Sequence, residues 1–141
     1  MARFFWDTNH YIYLFEGSPA FQSTTIALRQ RILRQHDDLL TSALTLGEIQ
    51  VKALNEGQPG IALDLKRRVV ESSQIVSFDA AAGDAFAHIR TTTSVKGADA
   101  VHLACAMAAG TDFFITNDMD LHKLQFPGIG RITSAQLVPG P

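Results

Sequence analysis

Short apolar runs alternate with helical patterns along this chain, and that rhythm restricts the fold more than any other property of the sequence. RFFW (3–6), DLLTSA (38–43), QIVSF (74–78) and TDFFIT (111–116) have strand-like length and composition. Between them the apolar positions recur at helical spacing. Asp7 and Thr8 open one such segment, NHYIYLFEG, which Gly17, Ser18 and Pro19 close. Strands separated by helices need crossover connections. The pattern therefore predicts an α/β fold: a three-layer sandwich with a central, mostly parallel sheet of four to five strands flanked by helices.

The remaining helices follow from periodicity and punctuation. One is expected over about 20–35, with Ile26 and Leu33 among its apolar positions. Another runs from Leu44 to Glu56, with Leu46, Ile49 and Ala53 on one stripe and Gly57, Pro59 and Gly60 as its stop. Helices over 61–72 and 80–92 bracket the third strand, the second of them capped by Asp79. An Ala-rich helix over 98–109 ends at Gly110, NDMDLHKL (117–124) forms a short helix or turn, and RITSA (131–135) supplies a last edge strand. With 141 residues and no repeat or linker, the expectation is one domain, 1–141.

Composition narrows the functional classes. A single cysteine excludes a disulfide framework, and MARFFWD lacks the apolar core of a secretory signal, so a reducing cytoplasm is expected. GADAVHLACAMAAG (97–110) is too short and too polar to span a bilayer. A net charge of −2 is unlike that of a strongly basic nucleic-acid binder. Nucleic-acid contact would depend on local clusters: Arg29, Arg31 and Arg34; Lys66, Arg67 and Arg68; Arg90 and Lys96. Each of these also reads as a solvated helix face.

Sheets of this kind bind ligands beyond the carboxyl ends of their strands. Four acids fall there: Asp7 after the first strand, Glu48 in the helix after the second, Asp99 early in the Ala-rich helix, and Asp118 after the fourth strand. Singly, each has an ordinary explanation as a helix cap, a dipole partner or a surface charge. Jointly they suggest more. Asp99 lies in so apolar a segment that burial is expected, and a buried carboxylate needs a positive partner. Lys96 is one candidate; a shared cation is the other, and hard oxygen donors select Mg²⁺ or Mn²⁺. Thr8, Asn9, Ser42, Thr116 and Asn117 lie near strand ends, where they can orient carboxylates, water or phosphate. His102 and Cys105 share a helix face, but further zinc ligands and an activating base are missing, so core packing is the expectation. Tyr11, Tyr13 and Phe15 are assigned to the core and to partner surface rather than to base stacking.

Taken in order, FFWDTNHYIYLFEG, TSALTLGEI, VKGADAVHLACA and FFITNDMDL resemble the PIN domain, specifically VapC-type toxins of bacterial toxin–antitoxin pairs. The resemblance spans nearly the whole chain. It implies an endoribonuclease using Mg²⁺, or Mn²⁺ as substitute, at Asp7, Glu48, Asp99 and Asp118. It also implies a homodimer silenced by a cognate antitoxin. Asp7, Asp99 and Asp118 would hold the metal directly or through water, with Glu48 orienting or deprotonating the attacking water, and Asn9, Ser42, Thr116 and Asn117 in support. Asp120 is a second acid in TNDMD, and whether it assists Asp118 stays open. Gly47 loosens the helix that carries Glu48. Clustered carboxylates would raise at least one pKa in the absence of metal. Two other readings remain: a catalytically silent PIN-like module that binds a partner or RNA, and a phospho-acceptor domain with Asp7 as nucleophile. DTN supplies only one carboxylate for the latter.

Overall fold

In the computed structural model, which describes residues 1–140, five strands form one sheet in the order β3-β2-β1-β4-β5. These are β1 (Arg3–Trp6), β2 (Asp38–Ser42), β3 (Gln74–Val76), β4 (Thr111–Ile115) and β5 (Ile129–Thr133), and every neighbouring pair is parallel. The helices are α1 (Thr8–Glu16), α2 (Gln22–Gln35), α3 (Ala43–Asn55), α4 (Pro59–Ser72), α5 (Ala80–Thr92) and α6 (Gly97–Ala109). The α/β sandwich expected from the sequence is therefore present with five strands.

Period-two alternation builds the two faces. Phe4 and Trp6 of β1, Leu39 of β2 and Ile115 of β4 join Tyr11, Leu28, Ile32, Ile49 and Val69 in a core beneath α1 to α4. Phe5, Leu40, Phe114 and Ile132 point the other way, onto Ala82 and Ile89 of α5 and the Ala100–Ala106 run of α6. Burying successive side chains on opposite faces needs an apolar residue at every position, which explains why RFFW and FFI are continuous rather than alternating.

Several local expectations change. In α2 the buried residues are Thr25, Leu28 and Ile32, whereas Ile26 and Leu33 are exposed, because the face toward the sheet is set by Leu28 and Ile32 one turn apart. β3 stops at Val76, two residues early, and Ser77 instead accepts the Asp79 amide in a turn before α5. NDMDLHKL contains only a single short turn of helix, Leu121–Lys123.

β5 packs very close to the rest. Gly128 has φ +85°, and a Cβ there would run into the carbonyl of Met107 at the end of α6. Only glycine combines that left-handed conformation with so close an approach. This junction aligns β5 so that the Thr133 carbonyl accepts the Thr116 amide at 2.9 Å, holding the chain just past β4.

Candidate active site

The strand order runs outward from β1 to β2 and β3, then returns to β4 on the other side of β1. The carboxyl ends of β1 and β4 thus border the crevice where connections diverge, the usual ligand position in such sheets. Trp6 pairs with Ile115, so Asp7 and Thr116 leave the sheet side by side. Asp7, Thr8, Asn9, Glu48, Ala98, Asp99 and His102 line one cleft at this edge. Larger hollows lie under β5 and around α2; two of those near α2 include Glu71, with Asp37 in one, but both are also lined by Arg29 and neither lies at this sheet edge.

Asp7 is both cap and wall. Its Oδ1 accepts the His10 amide at 3.4 Å and contacts the buried His10 ring at 3.1 Å through Nδ1, which fixes the start of α1 and one carboxylate oxygen together. Its residue is almost buried, at 7% exposure. Glu48, on α3, receives Thr8 Oγ1 at 2.6 Å and His102 Nε2 at 3.0 Å on the same oxygen, Oε1. Those two bonds, the histidine first, hold its carboxyl below the ordinary range. Below it lies a chain of hydroxyls: Thr41 donates to the Trp6 carbonyl at 2.7 Å, and Thr45 lies 2.8 Å from Thr41 and 3.2 Å from Thr8. Each hydroxyl has one proton to give. Thr41 uses its own on Trp6 and Thr8 uses its own on the carboxylate, so Thr45 donates to only one of them, and Thr41 is the nearer.

Asp118 follows β4 in a tight turn. Its amide donates to Thr116 Oγ1 at 3.1 Å, and its Oδ1 accepts the Asp120 amide at 3.0 Å. Asp118 is therefore a turn residue and not a helix cap. Asp120 contributes its backbone to Asp118, while its own carboxylate is exposed and lies 3.9 Å from Lys123 Nζ. Thr116 is also buried and its carbonyl accepts from His122 Nε2 at 2.8 Å. Asn9 is exposed on the cleft wall, and Ser42 is buried behind it. Asn117 follows Thr116 half-buried, with no side-chain hydrogen bond among the described residues.

Asp99 departs from expectation. It is exposed, because the apolar stripe of α6 runs through Ala100, Leu103 and Ala104 and leaves Asp99 at the rim of the first turn. Lys96 does not answer it, and its carboxylate has no hydrogen-bond or ion-pair partner among the described residues. Its pKa is nonetheless raised, first by partial loss of water and then by repulsion from Asp7 and Asp118, with Glu48 adding a smaller push. The four acids thus share one electrostatic neighbourhood. As placed, no three His, Cys, Asp or Glu side chains among the described residues converge enough to hold an ion.

Residues 4–127 match the PIN domain. The chain belongs to the PIN-domain family. Its fold is similar to that in the DNA-bound VapBC complex of Salmonella typhimurium, with TM-score 0.71 and 23% identity over 96% of this chain and 99% of that one. It is similar as well to VapBC2 of Rickettsia felis bound to a promoter fragment, with TM-score 0.70 and 14% identity over 94% and 97% of the two chains. VapBC-1 from nontypeable Haemophilus influenzae gives TM-score 0.70 and 15% identity over 95% and 98%. No curated protein matches the sequence.

Two histidines of this PIN domain escaped the sequence reading. His10 draws no assignment from the sequence, and His102 reads there as a core residue. Both are indeed buried, at 1% and 3% exposure, yet each bonds a cleft carboxylate. A signal existed for His10, three residues after Asp7 and so on the same helix face. For His102 there was none, since its partner Glu48 is 54 residues away. Cys105 does pack in the core, where burial pushes its thiol up to about 11.

Proposed function

We propose that this PIN domain, as a single nuclease domain over 1–141, is a metal-dependent endoribonuclease toxin neutralised by a cognate antitoxin. One observation carries the reading: Asp7, Glu48 and Asp99 line one cleft at the sheet edge, with Asp118 near enough to raise the Asp99 pKa. Asp7 and Glu48 each have one oxygen fastened by neighbouring side chains, and Asp118 has one fastened by a turn amide, which leaves the other free. An all-oxygen donor set carrying unrelieved like charge suits Mg²⁺, with Mn²⁺ as substitute.

Asp7, Asp99 and Asp118 would hold the metal. A bound divalent ion would activate water and offset charge on the phosphate. Glu48, with Oε1 restrained and its carboxyl kept ionised by the lowered pKa, is suited to orient the attacking water through Oε2. Asn9 on the cleft wall, Ser42 behind Glu48, and Thr116 with Asn117 beside Asp118 support these carboxylates. Attack by water leaves 5′-phosphate and 3′-hydroxyl ends. RNA ends mapped after expression of wild type and Asp7→Asn test this: loss of cleavage in the variant is expected, and 2′,3′-cyclic phosphate ends would sink the mechanism.

The likeness to VapBC complexes supports an antitoxin partner, and the same family reading implies a homodimer acting on RNA in the cytoplasm. No helix among the described residues is long and apolar enough to cross a membrane. A basic antitoxin side chain entering the cleft would relieve the same repulsion as a metal. The opposing reading, a silent RNA-binding PIN module, draws on the open spacing of the acids. Persistence of RNA binding with no cleavage at any Mg²⁺ or Mn²⁺ concentration would favour it.

A further inference from the structure

His102 is a buried histidine that takes no direct part in the mechanism above, yet both of its ring nitrogens are engaged. Nδ1 lies 2.8 Å from Ser42 Oγ and Nε2 lies 3.0 Å from Glu48 Oε1. A carboxylate can only accept, so Nε2 carries a proton, and in the neutral ring the Ser42 hydroxyl donates to Nδ1. The position of Ser42 makes this pairing informative. Ser42 occupies the residue before α3, where serine ordinarily caps a helix, yet its side chain makes no capping bond. Its hydroxyl serves the imidazole instead. The Phe5 ring packs against the imidazole in a T-shaped arrangement, centroids 6.4 Å apart and planes at 65°, which restricts the ring plane.

We infer that His102 is a positioning residue for Glu48: anchored by Ser42 at the end of β2, it holds Oε1 from α6 and leaves Oε2 to the cleft. Thr8 holds the same oxygen from α1. The carboxylate is thus fixed directly by groups from two elements other than its own helix, α1 and α6, with β2 backing the second through Ser42, and the lowered pKa of Glu48 is a consequence of those contacts. Outer groups that orient a reacting carboxylate act on turnover more than on substrate binding.

The catalytic consequence rests on Glu48 acting on water, as proposed above; the restraint itself does not. Single-turnover cleavage of a short single-stranded RNA with Mn²⁺ would be measured for wild type, His102→Leu and His102→Gln. His102→Leu should lower the rate about 10- to 100-fold with RNA affinity nearly unchanged, and His102→Gln, which keeps a donor near Glu48, should recover most of it. Full activity in His102→Leu, or a glutamine variant as poor as leucine in a folded protein, would overturn the assignment. A second measurement stands without activity and without a folded His102 variant: imidazole ¹⁵N shifts in wild type and Glu48→Ala. The expected spectrum is a single Nε2-protonated tautomer that changes when Glu48 is removed, and unchanged nitrogens would refute the link. A responsive imidazole in a protein that cuts no RNA would leave the link standing and remove the nuclease reading.

Discussion

At the scale of single residues, the cleft sets its acids in opposition. Asp99 has a raised pKa, so its proton is held more tightly in the fold than in the unfolded chain. Stability from that carboxyl is gained as pH falls and lost as pH rises through the raised value, leaving a charge penalty at neutral pH. Asp99→Asn should therefore raise the melting temperature of the metal-free protein at pH 7 while reducing the rise that added Mn²⁺ produces. Thermal melts with and without Mn²⁺ check both signs. Glu48 behaves in the opposite sense. Its pKa is depressed below 4.5, so its contribution is present above that value and disappears as pH falls through the lower folded one. The stability difference between wild type and Glu48→Gln should shrink on acidification below that range in denaturant titrations. Cys105, with its thiol pushed up to about 11 inside the core, should resist iodoacetamide at pH 8 until the protein unfolds.

At the scale of elements, two glycines predict opposite outcomes. Gly47 is exposed within α3, and a Cβ there meets nothing within 4 Å. Gly47→Ala should stabilise the protein by up to about 1 kcal/mol, through lower backbone entropy in the unfolded chain and better helix propensity. Gly128 has a left-handed backbone and a carbonyl where its Cβ would go. Gly128→Ala should cost on the order of 1–3 kcal/mol from strain alone, more once β5 shifts from α6. Because β5 also holds Thr116 through the Thr133 carbonyl, the same change should disturb Asp118 and weaken Mn²⁺ binding, measurable by calorimetry. These two elements show how far local reading extends. Helix α3 was legible from its own stripe and stop, whereas the exposed Ile26 and Leu33 of α2 were not. An apolar residue on a helix marks a buried face only when the neighbouring layer reaches it, and of these apolar residues only Leu28 and Ile32 are buried in the core.

At the scale of the whole molecule, metal binding and folding should be linked. An ion that binds only the folded cleft adds about 2.7 kcal/mol at a hundredfold excess over its dissociation constant, and Asp7→Asn should abolish most of that gain. Chemical denaturation in Mg²⁺ or Mn²⁺ and in chelator would show it. The sequence by itself determined the α/β class, because strand and helix periods are local and each apolar run states its own period. It also placed Asp7, Glu48 and Asp118 near strand ends, since an acid just after a strand, or on the helix that follows, can be seen without knowing what lies beside it. Only the tertiary structure decided the strand order that sets Asp7 beside Thr116, the exposure of Asp99, and the pairing of His102 with Ser42 and Glu48. Those contacts join residues tens of positions apart. Their geometry depends on how α1, α3 and α6 pack around the edge of the sheet, and no local pattern encodes it.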